Sequence, residues 1–134
     1  MKRQASKILI IDDDKDFVSA IKLILEKKSY ETLVAHDIDN GMKIIESERP
    51  NLILLDVMMK RLSDGFKLCY QLKHDPKHKN IPVIIITAVI KETGLIFSPK
   101  TDGEYLEAEE LITKPIKPDD LLNKVENLLM EKNR

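Results

Sequence analysis

The sequence predicts an α/β fold: a doubly wound, parallel, five-stranded sheet with helices on both faces, giving three layers. Two observations lead to this prediction. The apolar runs at 8–11, 52–55 and 83–86 are continuous, as strands buried on both faces require. The stretches between the runs carry apolar residues at helical spacing. Strands and helices that alternate through short connections form right-handed βαβ units, which build such a sheet.

The individual elements follow from the same patterns. Strands are expected at 8–11, 33–35, 52–55, 83–86 and, more weakly, 111–112. Helices are expected around 17–25, 42–45, 66–73 and 121–129. Pro50 ends the second helix just before a strand, and Pro118 lies near the first turn of the last helix, where proline is tolerated. The stretch 91–110 contains two glycines and a proline without a sustained apolar face, so an irregular fourth helix region is expected there.

Length and composition favour a single domain over residues 1–134, with a core at about 6–131. The net charge of −1 provides no general basic field, so no nucleic-acid partner is expected. A single cysteine, Cys69, excludes an internal disulfide, and its apolar neighbours favour a buried thiol. The apolar runs are too short for a signal peptide or a membrane span, so a cytoplasmic location and no membrane contact are expected.

Residues suited to a functional site, most of them polar, follow four of the five predicted strands at the point where each strand ends. They are Asp12, Asp13 and Asp14 after the first, Asp56 after the third, Thr87 and Ala88 after the fourth, and Thr113 and Lys114 after the fifth. The carboxyl ends of parallel strands meet at one edge of the sheet, where doubly wound folds place their ligands. The sequence therefore brings carboxylates, a hydroxyl and an ammonium to one place.

This set of groups suits phosphoryl transfer. Converging carboxylates repel one another, and a divalent cation removes the conflict. Hard oxygen ligands in small number suit Mg²⁺. Lys114 offers a compact positive charge for a phosphoryl group, Thr87 offers a hydroxyl donor, and an aspartate can itself be the nucleophile. Each residue taken singly also has a purely structural explanation. Asp12 to Asp14 could simply cap a helix, the Thr87 hydroxyl could form a local hydrogen bond, and Lys114 could be a solvated surface charge.

Taken in order, these motifs resemble the receiver domain of two-component response regulators over about residues 6–131. The matching stretches are ILIIDDD at 8–14, PNLILLDVMM at 50–59, DGF at 64–66, PVIIITA at 82–88 and TKP at 113–115. The resemblance implies a flavodoxin-like strand order of 2-1-3-4-5. It also implies that Asp56 accepts a phosphoryl group from a histidine kinase or a histidine phosphotransfer protein.

The resemblance further implies a role for each site residue. Asp13 and Asp56, with the backbone carbonyl of Met58, would bind Mg²⁺ directly, and Asp12 would act through a metal-bound water. Lys114 would pair with Asp56 and then with its phosphate. Thr87 would move to bond the phosphoryl group, and Ala88 would leave room for it. The Lys114–Pro115 peptide bond is expected to be cis.

The sequence departs from the family pattern mainly on the path that reports phosphorylation. Lys60 stands where proline is common, and the joint before Asp64 is one residue longer, with Ser63 as the extra residue. Leu111 occupies the switch position where many members carry an aromatic residue. The segment from Thr87 to Lys114 is also longer than usual. We therefore expect ordinary phosphorylation at Asp56 with an unusual relay through Thr87 and Leu111.

Two other functions remain open at this stage. A receiver-shaped binding module that no longer takes phosphate would keep the fold. An Asp-x-Asp at the end of the first strand also resembles small haloacid-dehalogenase-type phosphatases, in which Asp12 would be the nucleophile.

For the receiver we expect a stand-alone domain, because no output domain follows Arg134. We also expect phosphorylation-dependent contact with an unidentified protein target, as a monomer or a phosphorylation-linked dimer. Surface or loop roles are expected for His36, His74 and His78, and solvated positions for Lys27, Lys28, Lys73, Lys77 and Lys79.

Overall fold

A computed structural model describes residues 5–57, 62–88 and 108–132 of the protein. Within these ranges strands and helices alternate as predicted from β1 to β4, and a fifth strand and a last helix lie in 108–132. The strands are β1 (Lys7–Ile11), β2 (Glu31–Ala35), β3 (Leu52–Asp56), β4 (Val83–Ala88) and β5 (Glu110–Lys114). The helices are α1 (Lys15–Glu26), α2 (Ile38–Glu48), α3 (Leu62–Lys73) and α4 (Pro118–Lys132).

The five strands form one parallel sheet in the order β2-β1-β3-β4-β5. The predicted fold class and strand order are therefore confirmed. The chain runs from β1 outwards to the edge strand β2 and then returns past β1 to the central strand β3, so strand order reverses between β1 and β3. A doubly wound sheet opens its ligand crevice at that reversal.

Two apolar clusters fill the layers on either side of the sheet. Along β1, Leu9 and Ile11 face α2 and α3, whereas Ile8 and Ile10 face α1 and α4. All four are completely buried, which explains why the strand sequence shows no polar alternation. Cys69 lies buried in the α2–α3 layer, as predicted.

Side chains that follow the strands begin the next helices. The Asp14 carboxylate caps α1 by accepting the Phe17 backbone N–H at 3.1 Å. Asp37 caps α2 in the same way through the Asn40 backbone N–H at 2.8 Å, and this hydrogen bond lowers the pKa of Asp37. Arg49 ends α2 with a left-handed φ of 48°, directly before Pro50, at the place predicted for the helix end.

The prediction of a solvated Lys73 was wrong. Its side chain is only 7% exposed, and its ammonium pairs with Glu109 and donates to the Ile81 carbonyl at 2.8 Å. The same Glu109 oxygen accepts the Val83 backbone N–H at 2.8 Å. This network ties the last residue of α3 to the starts of β4 and β5, on the edge of the sheet opposite to the carboxyl ends.

We expect Lys73→Met to lower the free energy of unfolding by about 2 kcal/mol, because it removes the cation from the Glu109 carboxylate and the Lys73 donor from the Ile81 carbonyl, so that Glu109 keeps only its hydrogen bond from the Val83 N–H. Lys124→Met is the matched control: it breaks a more exposed ion pair with Asp120, within one helix, and should cost about 0.5 kcal/mol. Urea denaturation of both variants measures the difference. Equal small losses would show that the buried network adds nothing to stability.

Two further sequence predictions concern other parts of the chain. His78 lies in the connection after α3, as expected, but it is 7% exposed rather than at the surface, and its Nδ1 lies 3.0 Å from Asp75 Oδ2. The irregular region predicted at 91–110 falls mostly outside the described residues, as do Lys60 and Met58. None of the helices in the described ranges combines the length and apolar character needed to cross a membrane.

Candidate functional site

The predicted site residues lie together at the carboxyl edge of the sheet. Asp12 directly follows β1 and Asp56 is the last residue of β3, on the two sides of the strand-order reversal. Thr87 and Lys114 lie at the ends of the neighbouring strands β4 and β5. In the sheet, Thr87 is opposite Thr113, and Ala88 is opposite Lys114. Four strand ends thus supply one site, as the sequence predicts.

Three carboxylates form the acidic side of this site. One ligand oxygen from each of Asp12, Asp13 and Asp56 lies within 4.8 Å of the others. Asp12 is completely buried and Asp56 is 2% exposed, whereas Asp13 is exposed. Burial lowers the local dielectric, so repulsion among the carboxylates is stronger here than it would be in water. The cluster therefore favours a cation.

The Asp12 side chain points to the same conclusion. Its Oδ1 accepts the Asp14 backbone N–H at 2.9 Å, but its buried Oδ2 has no hydrogen-bond partner among the described residues. The Lys114 ammonium lies 3.3 Å from that oxygen, which is an ion-pair distance without hydrogen-bond geometry. A buried carboxylate oxygen left without a hydrogen bond is costly. A divalent cation held by hard oxygen ligands fits this donor set.

Two contacts fix the Asp12 backbone from the end of β2. The Asp12 N–H donates to the Ala35 carbonyl at 3.0 Å, and the Asp12 carbonyl lies 2.9 Å from His36 Nδ1. His36 is at the surface, as predicted from the sequence. Its contact with the site was missed, because a backbone acceptor on another strand leaves no pattern in the sequence.

Lys114 forms the basic side of the site. Its ammonium lies 3.3 Å from Asp12 Oδ2 and 3.9 Å from Asp56 Oδ2, and its side chain is 23% exposed. It also lies 4.1 Å from the centre of the Phe17 ring. The sequence assigned Phe17 only to the apolar face of the first helix. The Lys114–Pro115 peptide bond is cis, as expected.

Thr87 is 1% exposed, and its hydroxyl donates to the Ala88 carbonyl at 3.3 Å. Contact with a group bound to Asp56 therefore requires this hydroxyl to turn. Leu111, opposite Ile85 in the sheet, is half-buried against the α2–α3 layer. The predicted ligand Met58 lies outside the described residues, so its role stays a prediction.

Gly65 in α3 has a steric reason to be glycine. A Cβ atom there would lie 2.8 Å from the backbone Cα of Val57, closer than packed atoms tolerate. Val57 directly follows Asp56, so the close approach of α3 supports the chain next to the central carboxylate. This explains the glycine in the Asp64-Gly65-Phe66 motif in terms of space rather than of φ.

Comparison with known proteins agrees with this geometry. The family model described as the response regulator receiver domain matches residues 8–126. The alkaline phosphatase synthesis transcriptional regulatory protein PhoP of Bacillus subtilis is 32% identical over 92% of this chain and 48% of its own length. Protein PilH of Pseudomonas aeruginosa is 31% identical over 92% of this chain and 98% of its own length. The chain thus spans about half the length of relatives such as PhoP.

Solved structures show the same similarity. A CheY-like response regulator receiver domain protein from Methanospirillum hungatei superposes with a TM-score of 0.78 at 28% identity, over 97% of this chain and 98% of that one. The signal receiver domain of a signal transduction histidine kinase from Syntrophus aciditrophicus gives a TM-score of 0.78 at 33% identity, over 95% and 92%. Both of these structures are receiver domains, so the fold of this chain is similar to that of known receivers.

Proposed function

The chain belongs to the response regulator receiver domain family of two-component systems, and on this basis we propose that Asp56 accepts a phosphoryl group with the help of Mg²⁺. The family consists of signalling receivers rather than of enzymes that turn over a separate substrate. The only reaction that we propose for this chain is therefore its own phosphorylation and dephosphorylation, in the cytoplasm.

The convergence of two further carboxylates, Asp12 and Asp13, and of Lys114 on Asp56 is the observation that supports this proposal. A structural salt bridge would pair one acid with one base. Here three acids lie within 4.8 Å of one another beside one ammonium, and a buried Asp12 oxygen has no hydrogen-bond partner among the described residues. A bound cation would stabilise such a site by relieving the repulsion among the carboxylates. A negatively charged phosphoryl group could then lie between that cation and the Lys114 ammonium.

In the proposed reaction, an Asp56 carboxylate oxygen attacks the phosphorus of a phosphohistidine. The new O–P bond forms as the P–N bond breaks, and the histidine nitrogen keeps the electron pair of that bond. Lys114 lies where its ammonium can approach the phosphoryl oxygens. Mg²⁺ would be held directly by Asp13, Asp56 and the Met58 carbonyl, and by Asp12 through a water, and would offset the charge on those oxygens. Thr87 then turns its hydroxyl from Ala88, whose small side chain leaves room for the group.

The partners follow from this chemistry. We propose a histidine kinase or a histidine phosphotransfer protein as the donor, and a protein target that recognises the phosphorylated form. Phosphorylation replaces the single negative charge of the Asp56 carboxylate with about two on the phosphoryl group, which shifts the balance between two conformations of the surrounding loops. Thr87 and Leu111 are the residues proposed to pass this change on.

The two alternatives are less well supported. A binding module that no longer takes phosphate would not need three clustered carboxylates beside Lys114. In a phosphatase with Asp12 as nucleophile, that side chain would have to meet a substrate. Asp12 is completely buried, and one of its oxygens already accepts the Asp14 N–H. Asp56 is almost as buried, at 2% exposed, so burial alone does not separate the two carboxylates. The match to the receiver family over residues 8–126 is what favours Asp56 as the nucleophile.

Intact-mass spectrometry with acetyl phosphate tests this function. In Mg²⁺ the wild-type protein should gain the mass of one phosphoryl group. Chelation of the metal with EDTA should prevent the gain, and Asp56→Asn should abolish it. Asp39→Asn, which removes an exposed acid from α2, is the control and should leave the gain intact. A wild-type protein that gains no mass in saturating Mg²⁺ would contradict the proposal and favour the binding module.

A further inference from the structure

The surroundings of the Lys114 ammonium include a group that the proposed reaction does not use. Besides Asp12 and Asp56, the ammonium faces the ring of Phe17, with 4.1 Å between the nitrogen and the ring centre. An ammonium within about 6 Å of a ring centre is attracted by the negative face of the ring. The side chain is 23% exposed, so much of the water that would compete with this attraction is excluded.

The Phe17 ring is held in place by its own helix. Its backbone N–H donates to the Asp14 carboxylate that caps α1, so the residue belongs to the first turn, directly after the acidic cluster. The ring is half-buried against the apolar layer that contains Val18 and Ile21. A ring fixed in this way can restrain a lysine on a different element, because the lysine side chain is long and flexible.

The distances show where the ring holds the ammonium. Lys114 Nζ is closer to Asp12 Oδ2, at 3.3 Å, than to Asp56 Oδ2, at 3.9 Å. It therefore lies on the α1 side of the cluster, between the ring and the buried carboxylate. From there it can meet an incoming phosphoryl oxygen without first breaking a close hydrogen bond to Asp56.

We propose that Phe17 is a positioning residue for Lys114: its ring keeps the ammonium on the α1 side of the acidic cluster, ready for the phosphoryl group. This inference rests on the proposed phosphorylation of Asp56. Phe17 does not touch the reacting atoms; it acts through Lys114. Restraining a catalytic group before the reaction lowers the ordering cost that the reaction must otherwise meet.

A double-mutant cycle separates positioning from packing. Phe17→Leu keeps an apolar side chain but removes the ring, and Lys114→Met keeps a long side chain but removes the charge. Initial rates of phosphorylation by acetyl phosphate in saturating Mg²⁺ are measured by intact mass for the wild type, both single variants and the double variant. Coupling between the two positions appears as non-additivity of the rates.

We expect Phe17→Leu to lower the maximal rate about fivefold when Lys114 is present and to have no effect in the Lys114→Met background. Phe17→Tyr, which keeps an aromatic ring, should be phosphorylated at the wild-type rate. Phe17→Met, which keeps more of the volume, should behave like Phe17→Leu and serves in its place if that variant fails to fold.

Two results would overturn the inference alone. Equal losses in both Lys114 backgrounds would assign Phe17 to packing only, and a Phe17→Tyr variant as slow as Phe17→Leu would show that the ring is not what matters. Absence of phosphorylation in the wild type would instead overturn the proposed function, and this inference with it.

Discussion

We expect Lys114→Met to lower the rate of Asp56 phosphorylation about 100-fold, because the variant loses the only ammonium that the described residues bring within 4 Å of Asp12 and Asp56. The same variant should bind Mg²⁺ more tightly than the wild type. The ammonium and the metal are both cations attracted to the same carboxylates, so removing one strengthens the site for the other.

Two measurements check the expected fall in phosphorylation rate and the expected rise in Mg²⁺ affinity. Phosphorylation by acetyl phosphate in saturating Mg²⁺ gives the rate, and calorimetric titration with Mg²⁺ alone gives the affinity. Lys117→Met is the matched control, since it removes an exposed lysine from the same segment. A Lys114 variant that lost affinity for Mg²⁺ would indicate that the lysine supports the fold of the site rather than competing with the metal.

Asp13→Asn is expected to weaken Mg²⁺ binding by at least about tenfold, because it removes one of three charged ligands from the cluster. Asp13 is exposed and is not part of the apolar layers, so the variant should fold normally. The phosphorylation rate at low Mg²⁺ should fall with the affinity, and most of the wild-type rate should return when Mg²⁺ is raised.

The control for Asp13→Asn is Asp16→Asn, which neutralises another exposed acid in the first turn of α1. If the metal is bound by the cluster, only the Asp13 variant shifts the Mg²⁺ dependence of phosphorylation. Equal shifts in the two variants would reduce the role of Asp13 to general surface charge.

The central strands could be predicted because a strand that is buried on both faces has an uninterrupted run of apolar residues in its sequence. Residues 52–55 and 83–86 are all completely buried, and the corresponding runs are apolar without interruption. The edge strand β5 was the weakest prediction for the same reason. Ile112 is its only buried residue, and the other four are half-buried, so the apolar signal shrinks to two residues.

The site was predictable where position along a strand decides which groups meet. Asp12, Asp56, Thr87 and Lys114 end up together because parallel strands end at one edge. The Phe17–Lys114 contact was not predictable, since it depends on side-chain rotamers of residues far apart in the chain. Lys73 was misassigned for a related reason: its acidic partner, Glu109, lies on the far side of β4 in sequence, and a buried pair looks like two surface charges until the fold brings them together.

Locating the phosphoryl group tests the central claim most directly. The protein is phosphorylated with acetyl phosphate and Mg²⁺ and then reduced with borohydride, which converts an aspartyl phosphate into homoserine. Peptide mass spectrometry then identifies the modified position. We expect homoserine at position 56 and at no other position occupied by an aspartate. Homoserine at position 12 instead would support the phosphatase-like alternative, and its absence from every peptide would contradict the assignment of Asp56 as a phosphoryl acceptor.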